Sequence, residues 1–153
     1  MFELTTVYFL CSAPIHGFEA NDPRICEMYS QFGPTPRICF DYREEKALLD
    51  RHESHFSRAL SELSSTRLLE IIHRAHTFEI DEACHTIILV RRCGDLSRAL
   101  STVEPITAAA GMAIQNQLRR ETQAEQRRLY QSLANVEGSE GIASLVYELL
   151  RPE

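Results

Sequence analysis

REEKALLDRHESHFSRALSEL, residues 43–63, decides the fold class. Leu48, Leu49, His52, Phe56, Ala59, Leu60 and Leu63 recur every three or four residues, while Glu44, Glu45, Asp50, Arg51 and Arg58 fall on the other side. That spacing lays the apolar residues on one stripe of an α-helix. Ser64-Ser65 breaks the pattern and supplies capping hydroxyls for a second helix, in which Leu68, Leu69, Ile72 and Ala75 face inward.

Moving toward the C-terminus, HTIILVRR (85–92) is dense in β-branched residues and reads as a strand, with Thr77–Ile80 as its expected hairpin partner. Gly94-Asp95 restarts a helical pattern, and Pro105 is placed to be the first residue of a helix over 106–117. Thr122-Gln-Ala-Glu125 matches a capping box, so a new helix is expected there, with Leu129, Tyr130 and Leu133 on its inner face. Ile142, Leu145, Val146, Leu149 and Leu150 then give the most regular helical spacing in the chain, ending before Pro152.

Moving toward the N-terminus, Gly33-Pro34 is a helix stop and Asp22-Pro23 a helix start, so a short helix is expected to end at Phe32. PRICFDY (36–42) fits either a strand or the first turn of a helix. LTTVYFL (4–10), closed by Cys11-Ser12-Ala13-Pro14, has the composition of a buried parallel strand. The expected fold is α+β and predominantly helical, with one N-terminal buried strand and a short central strand or hairpin. Residues 1–42 and 43–153 are its two expected parts.

Composition excludes several function classes. Apolar residues make up 44% of the 153 and charged residues 25%, which is enough for a real core and too balanced for disorder. No apolar run approaches the roughly 18 residues that span a bilayer, and Val7–Leu10 lacks the basic flank of a secretory signal. Five separated cysteines (Cys11, Cys26, Cys39, Cys84 and Cys93) suit a reducing compartment better than a disulfide framework, so an intracellular location, cytoplasmic or nuclear, is expected. A net charge of −6 argues against nucleic acid as a partner. The one basic stretch, Arg119-Arg120 to Arg127-Arg128, is interrupted by Glu121 and Glu125 and reads as a solvated helix face.

Catalytic motifs are incomplete. His52 and His55 form an HxxH, and His73, His76, Cys84, His85 and Cys93 gather in one stretch, but no C-x-x-C pair is present. Adjacent Cys84 and His85 would point to opposite faces of a strand. Core thiols and surface histidines are the plain account, and a zinc site, needing three or four converging ligands, ranks below it. There is no G-x-S-x-G elbow, and Glu79, Asp81 and Glu82 sit where a turn expects acidic residues. A phosphate-binding loop is also missing: the single lysine, Lys46, follows no glycine-rich loop, and no G-x-G-x-x-G occurs. By itself the chain is not expected to be an enzyme, and no cofactor is expected in isolation.

The order of the N-terminal elements nonetheless resembles a known module. A strand ending in Cys11-Ser12-Ala13-Pro14, followed by ICEMYSQFGPTPR (25–37), is similar to the second half of the P-loop ATPase of Crinkler and retrotransposon-hot-spot type proteins. That family has a strand ending in Ser-Ser-Pro and a Phe-Gly-Gly-x-Pro-Arg lid, and the wider STAND class has a related Gly-x-Pro element. HTIILVRR and STVEPITAAAGMAI (101–114) loosely resemble the region that follows it. The resemblance implies that Ser12 matches the polar end of the sensor strand, that Gly33, Pro36 and Arg37 match the lid motif, that Pro36 lies near the base, and that Arg37 is a phosphate-facing or sensor arginine. An arginine suits that place because its fork grips phosphate oxygens bidentately.

The departures define what such a chain would be. Walker A and Walker B are missing, Pro34 replaces the second glycine, and no Glu/Asp-x-Lys nuclease strand is present. The resemblance therefore implies a non-catalytic fragment, binding ATP only with a Walker-containing partner or upstream segment. Its partner would be that missing ATPase half or another protein, and not a membrane. A stand-alone interaction module using the amphipathic helix Gly138–Arg151 is the alternative, and a zinc-dependent enzyme or zinc-stabilised domain comes last.

Overall fold

The computed structural model describes residues 22–35, 37–42, 45–77, 84–92 and 101–151. The chain divides into two compact units, Met1–Ser54 and His55–Glu153, a boundary that falls within a helix. The described elements are helices and one two-stranded antiparallel sheet, an α+β and predominantly helical fold. The expected strand at 4–10 lies outside the described residues.

In the first unit, α1 spans Pro23–Phe32. Asp22 caps it by accepting the Arg24 N–H at 2.8 Å, and Pro23 occupies a position where no N–H is needed. Gly33 ends it at φ 74°, ψ −166°, donating its N–H to the Tyr29 carbonyl at 2.8 Å. The segment that fitted either strand or helix is a π-helical turn, Arg37–Tyr42. It tucks Cys39 and Phe40 against Ile25, with Met28 and Tyr29 packed alongside.

Helix α2 covers Lys46–Ser61 and α3 covers Ser65–Thr77. Ser64 caps α3, its Oγ accepting the Arg67 N–H at 3.2 Å and its carbonyl the Leu68 N–H at 2.8 Å. Leu68, Ile72 and Ala75 are buried as expected, and Ile71 joins them.

The strand over 85–92 begins later, after a single 3₁₀ turn at Cys84–Thr86: β1 is Ile88–Arg92. Its partner is β2, Ser101–Pro105, with Ile88 opposite Pro105, Val90 opposite Val103 and Arg92 opposite Ser101. Thr77 is the last residue of α3, so the expected hairpin with 77–80 is corrected at that end, and 78–80 lie outside the described residues. Pro105 closes a strand instead of opening a helix, a place where its missing N–H costs no interior ladder bond. Helix α4 starts two residues after the expected position, at Ala108–Leu118, because Thr107 is its N-cap and accepts the Ala110 N–H at 3.0 Å.

Two further helices complete the second unit, α5 at Gln123–Leu133 and α6 at Glu140–Leu150. The capping box is formed: Thr122 Oγ1 accepts from the Glu125 N–H, and the Glu125 carboxylate accepts the Thr122 N–H at 2.8 Å. The core joins every element of this unit, with Leu68, Ile72, Ile88, Val103, Ile114, Leu118, Leu129, Leu133, Ile142 and Val146 all essentially inaccessible. Each such burial contributes about 1.5–3 kcal/mol relative to exposure. The start of α6 lies directly on β2: a Cβ on Gly141 would sit 3.2 Å from the Val103 carbonyl oxygen, a tight contact that a larger residue could make only if the strand gave by a few tenths of an ångström. Val103 N–H reaches the Gly138 carbonyl at 2.7 Å and ties the same corner. Among the described residues, no helix is long and apolar enough to cross a membrane.

Candidate functional site

The segment that carries the resemblance opens with a tight turn over Gly33–Thr35, directly after α1. Gly33 adopts a backbone conformation essentially reserved for glycine. Thr35 N–H then donates to the Gly33 carbonyl at 2.8 Å, bending the chain at Pro34. The Thr35 carbonyl receives the N–H groups of Ile38 and Cys39, both at 3.1 Å, and so launches the π turn that begins at Arg37. The backbone of this turn is thus closed by its own hydrogen bonds. Ser12 and Pro36 lie outside the described residues; Arg37 is placed by its backbone at the head of the π turn.

Beside it, the Cys39 thiol is directed at the Gly33 carbonyl, 3.6 Å away. Burial pushes its pKa up to about 12, against a smaller opposing pull from the Thr35 backbone hydrogen bond. A thiol held neutral in this way is a poor nucleophile and a poor metal ligand. It acts as a small core residue.

His52, His55, His73 and His85 have separate surroundings. His52 packs against Phe32 edge-on, with ring centroids 5.1 Å apart. His55 and His85 are exposed, and His73 Nδ1 lies 2.8 Å from the Leu69 carbonyl on its own helix. Among the described residues, no three His, Cys, Asp or Glu side chains converge on a point that could hold a metal. The acidic group at 79–82 and Cys93 lie outside the described residues.

Several polar side chains outside the expected sites are tightly engaged. The Glu121 carboxylate accepts the Ser65 N–H at 2.7 Å and the Ser65 hydroxyl through its other oxygen. Gln126, buried, donates to the Leu118 carbonyl at 2.9 Å. Ser139, also buried, shares its hydroxyl between the Leu133 and Val136 carbonyls at 2.7 and 2.8 Å. Arg91 Nη2 lies 2.6 Å from Glu104 Oε1 across the strands, an ion pair without hydrogen-bond alignment at that buried oxygen. Each of these closes a helix end or a strand pair.

The inner face of α6 is occupied by the core, through Ile142 and Val146. Leu145 faces α4, where a Cβ on Gly111 would meet its side chain at 3.4 Å. The outer face presents Tyr147, 47% exposed, whose ring lies 5.7 Å from that of Tyr130 on α5. No protein-family model, curated protein or solved structure matches the chain.

Proposed function

We propose that the chain is a non-catalytic module that acts by binding, its residues 1–42 serving as the sensor strand and lid of a Crinkler-like P-loop ATPase. The nucleotide would be held by a Walker-bearing half on a partner or an upstream segment. Arg37 would then approach the phosphates and Pro36 the base. The observation that supports this reading is the Gly33–Thr35 turn, which stops α1 and delivers Arg37 at the start of a new helical turn. A lid arginine needs such a self-supported turn, because a charge that serves a phosphate must be held in place before the ligand arrives.

Fluorescence titration with a labelled ATP analogue tests it. The chain alone is expected to leave the signal unchanged, and a complex with a Walker-bearing ATPase half of this type should bind. Arg37→Ala should then weaken binding at least tenfold, as expected for loss of a charged phosphate contact worth about 1.5–3 kcal/mol. Equal affinity in that variant would remove Arg37 from the site.

A second reading, an interaction module built on the helices, is favoured by the exposed Tyr147 and its contact with Tyr130. Tyrosine pairs of this kind are common anchors for protein partners. Tyr147→Asp should abolish association and keep the fold, whereas Val146→Asp should unfold the unit. Leu145, lodged beside α4, does not separate the two effects.

A further inference from the structure

The basic stretch at 119–128 is not one solvated helix face. Leu118 ends α4, Arg119 and Arg120 lead into the turn, and Arg127 and Arg128 lie on the second turn of α5. The buried Gln126 side chain bridges the corner by donating to the Leu118 carbonyl. The two arginine pairs therefore emerge next to the two ends of one hydrogen bond, and all four side chains are exposed.

The two glutamates that interrupt the stretch keep their charge but are turned onto neutral partners, and four arginines against two carboxylates leave the corner with an excess of positive charge. Glu121 is turned onto Ser65 at the start of α3. Glu125 is turned onto Thr122, whose hydroxyl and N–H hold its carboxyl below the ordinary value, with Arg128 a minor further influence. Four other arginines of the unit have carboxylate partners: Arg58 with Glu62, Arg67 with Glu70, Arg91 with Glu104 and Arg151 with Glu148. Among the described residues, no carboxylate forms an ion pair with Arg119, Arg120, Arg127 or Arg128.

We propose that the α4–α5 corner is a docking surface for an acidic peptide segment of a partner protein, gripped by Arg119, Arg120, Arg127 and Arg128. Guanidinium forks match carboxylates bidentately, and clustered arginines are a recurrent means of reading acidic motifs. A short peptide fits this chain better than a nucleic acid does. It meets only the corner, whereas a long polyanion would run onto the remaining surface of a chain with net charge −6. The inference does not depend on the lid reading, since it uses no residue of the first unit.

The test is fluorescence anisotropy on the full chain with a fluorescein-labelled peptide of alternating glutamate and glycine. The corner variant carries Arg119→Gln, Arg120→Gln, Arg127→Gln and Arg128→Gln. A control of equal net charge carries Arg24→Gln, Arg51→Gln, Arg58→Gln and Arg151→Gln. The corner variant should weaken binding about tenfold or more while the control stays within about twofold, and affinity should fall with added salt. Should the corner variant lose its helical circular dichroism, the pair Arg119→Gln and Arg127→Gln is read instead and should weaken binding about threefold. Equal loss in both quadruple variants would reduce the effect to net charge and overturn the proposal. So would unchanged binding in the corner variants, or tighter binding of a single-stranded oligonucleotide of matched charge.

Discussion

Replacing Glu121 by alanine removes both acceptors from Ser65 and leaves the first N–H of α3 half-buried without a partner. That N–H is one of the donors a helix start cannot satisfy internally. Its bond to a carboxylate is worth about 1.5–3 kcal/mol net, and the negative charge at the helix start adds about 0.3–1 kcal/mol, screened at this partly exposed site. The expected loss is about 2–3 kcal/mol. For a unit of this size each kcal/mol moves the melting temperature by roughly 4–8 °C, so a drop of about 8–24 °C should appear in far-ultraviolet circular dichroism. Glu121→Gln keeps one acceptor oxygen and should lose only about 1 kcal/mol, the share carried by the charge. A double-mutant cycle with Ser65→Ala should return a coupling of about 1 kcal/mol or more. Glu121→Ala melting within 2 °C of the parent, or additive single variants, would show that this contact does not hold α3 to the α4–α5 corner.

Gly33→Ala should cost about 1–3 kcal/mol, because the residue would be forced into a glycine-only conformation, and should raise amide exchange of Cys39. Cys26, exposed on α1, should react with a thiol reagent at pH 8 in the native protein, whereas Cys39 should react only after unfolding. The same raised pKa sets a pH dependence. The folded state favours the neutral thiol, so its contribution is intact below the ordinary value of 9.0 and is lost as pH rises toward about 12. An alkaline melting series with Cys39→Ala as control should show that window. Ile114→Ala, at a fully buried site, should cost about 2–5 kcal/mol, while Met112→Ala, 60% exposed on the same helix, should change stability by less than about 0.5 kcal/mol in urea titration.

What could be read from the chain was what its neighbours in sequence decide. Asp22-Pro23 and Gly33-Pro34 bounded α1, and Thr122 with Glu125 announced α5, because capping groups lie within four residues of what they cap. The apolar spacing of 142–150 and the β-branched run at 88–92 likewise expressed their own period. The candidate lid was legible only as a motif. Its arginine is placed by the backbone at the head of a π turn, which no residue pattern distinguishes from the strand or helix start that 36–42 also fitted.

Tertiary structure alone decided the pairing of β1. Five residues ending in proline are too few to show a period, and a ladder is chosen by which strand can cover the core, not by proximity in sequence. It also decided the fate of the charges. Glu121 and Ser65 are 56 residues apart, and their contact turns one carboxylate of a mixed surface stretch onto the start of another helix. Amino-acid order determines where helices begin and which face of each is apolar, since those preferences are local. Which carboxylate a helix start will capture, and which cations are then left for a partner, depends on distances that exist only once the core has packed.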